Sequence, residues 1–373
     1  MGWRFKKLFA PFVVCHCILH FKVDWTWFSG FHCSNTKVRI NVRYLLTYLE
    51  KSITTFFDRL IQGFLSAIGD VSMIQIFEKL FGKDKNDIFR IIYASNWFML
   101  YCSSRTLINT FETSLSNIAL RLYLDQNQFY VSLIALSFMT RPTTAIFWIP
   151  LVLHDALFRT PFKVLCLKMI PLAIVSVLSL IAIDSWFYGE ITIVPWNFLR
   201  INLLQNISVQ YGVHPWHWYF SNFLPALFCG IGLFLLLKGL YIGAKDNSKL
   251  LVFSVLFSLF SYSILGHKEH RFIMPIIPLM LAFMTLSLPR QITNYLKLFC
   301  IVNVLLASYL SIWHQSGPQS VMKYLSSKTN GKGILILTPC HGTPFYRWVW
   351  KLMISNYVHM WVYILWLQLQ VLA

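Results

Sequence analysis

LGHKEHRFIMPIIP, residues Leu265 to Pro278, sets His267, Lys268, Glu269, His270 and Arg271 between two apolar runs, Leu250 to Leu265 and Phe272 to Leu288. In water such a cluster is an ordinary solvated turn. Between two membrane helices, unpaired charge is costly and marks function. The rest of the chain favours the second setting. Of 373 residues, 57% are hydrophobic and 12% charged, and mean hydropathy is +0.58. Soluble domains carry about a quarter charged residues. The composition predicts an all-α, polytopic integral membrane protein with about eight to ten membrane helices.

Formal net charge is +18, but the basic residues are scattered rather than gathered into a tail. That pattern points to positive-inside loops and lipid phosphates as partners, not nucleic acid. The 8 cysteines are also dispersed, several inside apolar runs, so no disulfide framework follows. Cys15-His16-Cys17 lacks a second ligand pair at zinc spacing. No metal site and no cofactor are expected.

Arg4, Lys6 and Lys7 precede the apolar run Leu8 to Phe21, which reads as a short anchor or a signal-like segment. Asn35 to Arg59 is basic and without clear period. The expected division is an atypical segment over 1–59, a multi-span domain over 60–347 and a hydrophobic tail over 348–373. Leu60 to Leu80 has helical spacing interrupted at Gly69-Asp70. Thr106 to Leu124 is amphipathic, with Leu107, Phe111, Leu115, Ile118 and Leu122 on one face. Phe129 to Leu153 could span, but Arg141-Pro142 at its middle predicts a broken helix or a re-entrant hairpin. Later spans are expected at Val164 to Phe187, Phe220 to Leu237, Leu250 to Leu265, Phe272 to Leu288 and Tyr295 to Trp313.

Loop charge orients these spans. His154 to Lys163 and Lys238 to Lys249 carry the basic residues and read as cytosolic. Tyr188 to Tyr219 is sparsely charged, contains the sequon Asn206-Ile207-Ser208 and reads as luminal. Alternation then places His267 to Arg271 on the luminal side. A basic cluster on the unfavoured side suits an anion.

Three constellations carry chemistry. On a helix, His267, His270 and Arg271 would share a face, with Arg a fork and Lys268 a point charge for phosphate and Glu269 holding a cation in place. A turn of charges snorkelling to the interface fits the same residues. YGVHPWHWYF, Tyr211 to Phe220, offers His214, Trp216, His217 and Trp218 as ring faces and imidazoles for a sugar, or as an interfacial aromatic belt. Arg105, Asn109 and Glu112 fall at i, i+4 and i+7, a polar stripe that is either a solvated face or a site wall. Asp70 is a candidate partner for Arg141.

These residues resemble the dolichol-phosphate-mannose-dependent mannosyltransferases, which share a multi-span GT-C fold. LGHKEHRFIMPIIPLM is similar to their HKE-x-RF box, SSRTLINTFETSLSNIAL to the segment after the early spans, and SFMTRPTTAIFWIPLVL to their Arg-Pro segment. YGVHPWHWYFSNFLPAL and LTPCHGTPFY are most similar to the branch that adds the third mannose of glycosylphosphatidylinositol (GPI) anchors. The similarity covers roughly Leu60 to Tyr346, with these motifs in order. It implies transfer of mannose from dolichol-phosphate-mannose to the second mannose of a GPI precursor lipid, α1,2-linked, at the luminal face of the endoplasmic reticulum membrane. His267, Lys268, Glu269, His270 and Arg271 would hold the donor phosphate, His214, Trp216, His217 and Trp218 the sugar, and Arg105, Asn109, Glu112 and Arg141 would form the polar stripe. Sister enzymes of lipid-linked N-glycan assembly, or a non-catalytic lipid-phosphate binder or transporter, are the alternatives. The resemblance also implies a base in an Asp-Glu pair of the first luminal loop. Asp24 is a lone acid there, and the end after Tyr346 is atypical, so the chain is expected to be an incomplete product whose base is unassigned.

Overall fold

Every described element of the computed structural model is helical, as lipid requires of a chain that must satisfy its backbone internally. The structure describes residues 36–324, other than 104, 205–211, 247, 290–293, 315, 318–319 and 322–323. Cys15-His16-Cys17, the Leu8 to Phe21 run, Asp24, the Asn206 sequon and the tail from 348 onward lie outside the described residues. The chain divides into two units, residues 1–304 and 305–373.

In the first unit, α1 (Thr36–Phe81) runs unbroken past residue 59 and through Gly69-Asp70. The expected interruption is absent because Gly69 serves packing. A Cβ there would lie 2.9 Å from the Cα of Ser114 on α4 (Ile108–Leu124). Asp70 accepts a hydrogen bond from the Tyr93 hydroxyl at 2.7 Å, not a charge from Arg141. Tyr93 lies on α2 (Asn86–Ser95), and α3 (Trp97–Ser103) follows it.

The broken span is as the sequence predicts. α5 (Tyr130–Thr140) ends at Arg141, whose backbone is extended (φ −146°, ψ 103°), and α6 (Thr144–His154) starts beyond Pro142. Proline disfavours the helical region for the residue before it. α6 returns beside α5, so that Tyr130 donates to Asp155 at 2.5 Å. α7 (Phe162–Tyr188) then runs alongside α5, joined by the Ser176–Ser132 hydrogen bond at 3.0 Å. A short α8 (Val194–Leu199) follows it.

Phe220 to Leu237 is not one straight span. α9 (Tyr219–Leu227) and α10 (Ile231–Lys245) meet at 102°. Cys229 (φ 49°) and Gly230 (φ 70°) sit between them in left-handed backbone, which ends the first helix. α11 (Lys249–Ile264) leads into the polar box, and α12 (His270–Leu286) leads out of it. α12 is the core: every residue from Ile273 to Thr285 is buried. α10 crosses it closely, since Gly239 and Gly243 leave room for Phe283, whose carbonyl oxygen would be 1.8 Å from a Cβ on Gly239. Gly-x-x-x-Gly spacing is how membrane helices bring backbones together. α13 (Asn294–Ile312) closes the series.

Two helical stretches, Phe56–Phe81 and Phe162–Tyr188, are long and apolar enough to cross a membrane, and the bent α9–α10 pair is a third if counted as one span. Four shorter apolar helices accompany them: α5, α11, α12 and Leu296–Ile312 of α13. Together these represent the expected multi-span, all-α architecture among the described residues.

Candidate functional site

Glu269 in the box has extended backbone (φ −130°, ψ 150°), and the helix begins only at His270. Extended backbone alternates its side chains. The expected shared helical face of His267, His270 and Arg271 is therefore replaced by a period of two. His267, Glu269 and Arg271 form one ionic chain. His267 Nε2 lies 3.1 Å from Glu269 Oε1, and Arg271 Nε donates to Glu269 Oε2. Burial pushes the Glu269 carboxyl up, but the hydrogen bond and charge of Arg271, then His267, outweigh it and hold it below the usual value.

Lys268 and His270 grip the aromatic loop instead. Lys268 Nζ donates to the carbonyls of His214 (2.9 Å) and Leu265, and the residue is 3% exposed. Its pKa is lowered by burial. The ring of His270 packs on Trp218 (4.8 Å between centroids) and on Phe223 (4.9 Å). His214 stacks on Trp218 at 4.7 Å, and its backbone N–H donates to Gly266 O at 3.1 Å. His267 Nδ1 meets Gly212 O at 3.0 Å, and the Tyr219 hydroxyl donates to Glu269 O at 3.0 Å. Box and loop thus form one body. Trp216 and His217 point away: Trp216 is 69% exposed, and His217 bonds Ser221 of its own turn.

The polar stripe is an inner wall, not a solvated face. On α4, Asn109, Glu112, Thr113, Ser116 and Asn117 are buried, whereas Phe111, Ile118 and Leu122 are half-buried. A helix in lipid has no water to show its polar face to, so that face turns to protein. Asn109 Nδ2 donates to the Arg271 carbonyl at 2.8 Å. One turn on, Glu112 accepts the Thr144 hydroxyl at 2.6 Å on one oxygen, and its other oxygen forms an ion pair with Arg141 Nε at 3.2 Å. Arg141 also lies over the Phe272 ring, 5.4 Å from its centroid. Tyr262 of α11 donates to Thr143 O at 3.2 Å, tying the helix break to the approach to the box. Arg105 is not part of this wall. It precedes α4 and folds back on α3, with its Nε on Tyr101 O and its guanidinium 3.8 Å from the Tyr101 ring.

Sequence reasoning missed Tyr219, Tyr262 and Thr144. Thr144 had a signal, since it lies two residues after Arg141-Pro142; Tyr262, inside an apolar run, had none. The assembled site offers guanidinium N–H groups beside a box-and-loop body, which suits an anion with an attached hydroxylated group.

Known proteins match this chain along most of its length. A family model described as the Alg9-like mannosyltransferase family matches residues 25–350, starting upstream of Leu60. The human protein named GPI alpha-1,2-mannosyltransferase 3 is 35% identical over 83% of this chain and 58% of its own length. The fly protein named GPI mannosyltransferase 3 is 33% identical over 87% of this chain and 62% of its own. The Arabidopsis mannosyltransferase APTG1 is 34% identical over 77% and 60%. The chain therefore spans about three fifths of the length of these curated relatives. Among solved structures, ArnT from Cupriavidus metallidurans bound to undecaprenyl phosphate superposes with a TM-score of 0.56 at 10% identity, over 81% of this chain and 75% of that one. That likeness shows a shared fold. With the matched region running from residue 25 to residue 350, the chain belongs to the Alg9-like mannosyltransferase family.

Proposed function

We propose that this chain acts in GPI-anchor assembly, moving mannose from dolichol-phosphate-mannose to the second mannose of a GPI precursor in an α1,2 linkage at the luminal face of the endoplasmic reticulum membrane. The carrying observation is the body made by the HKEHR box and the HPWHW loop, in a chain whose relatives bear the GPI mannosyltransferase name. Arg271 is the group for the donor phosphate. Its side chain is 42% exposed, and Glu269 fixes it by Nε alone. Charge that develops on the leaving phosphate is stabilised by such a preorganised cation. Lys268 has another role, since its ammonium is bound to backbone carbonyls; it clasps the aromatic loop to the box. Trp216 and His217, on the outer side of that loop, are the surface for the acceptor sugar. The base that takes the acceptor proton is unassigned.

The test is expression in cells that lack the third GPI mannosyltransferase. Restored surface GPI proteins and loss of the two-mannose precursor support the reading. Arg271→Ala should cost transfer at least ~100-fold, the scale for removing one preorganised transition-state donor, with membrane insertion intact. Correction of a lipid-linked oligosaccharide defect without any GPI rescue would sink it.

A further inference from the structure

We propose that Arg141, at the α5–α6 break, is a second anion-binding group that takes an oxygen of the same lipid phosphate as Arg271. The proposal rests on the reading of Arg271 given above.

The argument starts from how the guanidinium is held. Arg141 Nε meets Glu112 Oε2 at 3.2 Å, and Nη2 donates to the Thr143 hydroxyl at 3.3 Å. One face of the guanidinium lies over Phe272, and the side chain is 11% exposed. Nη1 has no hydrogen bond to a described residue. A guanidinium has five N–H donors, so one edge is fixed in direction and unspent.

Glu112 cannot be a reacting group in this arrangement. It is 1% exposed, and one oxygen takes the Thr144 hydroxyl while the other faces Arg141. A buried ion pair contributes little net stability over an apolar pair of the same volume. Stability alone therefore gives no reason for this one. Orientation does.

A similar construction occurs at Arg271, where a carboxylate also faces Nε and accepts its hydrogen bond. The two copies are joined. Phe272, on which Arg141 stacks, follows Arg271 in the chain. Asn109, one turn before Glu112 on α4, holds the Arg271 carbonyl at 2.8 Å. Each cation is neutralised by its own carboxylate, so the empty site does not accumulate repulsion between two arginines. An arriving phosphate monoanion meets two directed forks rather than two diffuse charges. The phosphate could belong to a polyprenyl donor or to a phospholipid headgroup.

The experiment uses the full chain in nanodiscs with dolichyl phosphate as probe and phosphatidic acid as a second arm. R141Q should weaken dolichyl phosphate binding ~10-fold or more, the scale of a lost charge-assisted contact. E112Q should weaken binding less than R141Q does, because the charge that meets the phosphate remains while only one of the groups that orient it is lost. The double variant E112Q/R141Q decides the matter. If Arg141 touches phosphate, the double variant stays as weak as R141Q. If Arg141 only satisfies Glu112, removing both charges restores wild-type affinity, and the proposal is overturned. Should R141Q fail to fold, R141K and the double variant carry the test; full affinity in both overturns it. R271Q runs in parallel. Loss with R271Q but not R141Q removes this proposal alone. Loss with R141Q but not R271Q removes the Arg271 assignment and with it the shared phosphate. Dolichyl phosphate binding without competition from phosphatidic acid assigns the donor, and equal competition assigns a headgroup phosphate. No effect of R141Q on either ligand overturns both sources.

Discussion

The two ends of α4 use the same residue types for different purposes. At its start, Glu112 meets Arg141 at 3.2 Å with side chains 1% and 11% exposed. At its finish, Arg121 meets Asp125 at 2.8 Å and Lys79 meets it at 2.6 Å, with side chains about a third exposed. The distances are alike, and the surroundings are not. Exposed pairs are screened and worth about 0–1 kcal/mol. Breaking a buried pair strands a charge, at about 3–5 kcal/mol. The difference teaches that charge in this chain is sorted by depth. One end ties helices to each other at the exposed surface; the other lines the buried interior.

The sharpest way to break that comparison is to cut one partner at each end. Glu112→Ala should lower the unfolding free energy by about 3–5 kcal/mol, because Arg141 remains buried without its carboxylate. Asp125→Ala should cost about 0–1 kcal/mol. Denaturant titration of the purified protein measures both, and equal losses would remove the distinction.

Two smaller effects refine it. Lys268→Met keeps the apolar stem but leaves the carbonyls of His214 and Leu265 without their charged donor. A loss of about 1.5–3 kcal/mol is expected, seen as faster proteolytic cutting near Trp216 with the helices intact. Unchanged cutting would mean the loop is held by ring stacking alone. Gly69→Ala tests the middle of α4, where the cost is steric rather than ionic. The new Cβ would sit 2.9 Å from Ser114 Cα, and the helices must part. About 1–3 kcal/mol is expected from such overpacking, and unlike the ionic losses it should not change with salt.

Much of this was legible in the residues, and the gaps have a common cause. The box, the Arg141-Pro142 break and the pairing of box with aromatic loop all follow from charge placed in apolar sequence and from proline geometry. The box was misjudged in period, because three and four residue spacings in HKEHR look helical while Glu269 is extended. The α4 stripe had its ambiguity resolved by lipid, which inverts the usual meaning of an amphipathic helix. The α9–α10 bend turns on the left-handed backbone at Cys229 and Gly230, a conformation that a cysteine does not announce. The approach of α10 to α12 had a signal in Gly239-x-x-x-Gly243, whose partner Phe283 only the fold reveals. Asp70 was matched with Arg141 because both are isolated in apolar runs, whereas the fold gives Asp70 the Tyr93 hydroxyl and Arg141 the carboxylate of Glu112.

Acid offers the finest test. Glu269 is held below its ordinary 4.5 because the hydrogen bond and charge of Arg271, with His267, outweigh the upward push of burial. Asp125 is held below its ordinary 3.8, chiefly by the hydrogen bond from Lys79. A carboxyl depressed on folding contributes fully above its unfolded value and loses that contribution as pH falls through the folded one. Both contributions therefore fade on the acid side of about pH 4. They should separate by readout. Asp125→Asn should shift the acid limb of stability only within the ~0–1 kcal/mol that screening leaves an exposed site, and should leave lipid phosphate binding alone. Glu269→Gln should instead flatten the acid limb of binding, because the carboxylate that orients Arg271 is gone at every pH. If Asp125→Asn flattens binding as much as Glu269→Gln does, the finish of α4 is coupled to the box, and depth does not separate the two kinds of charge.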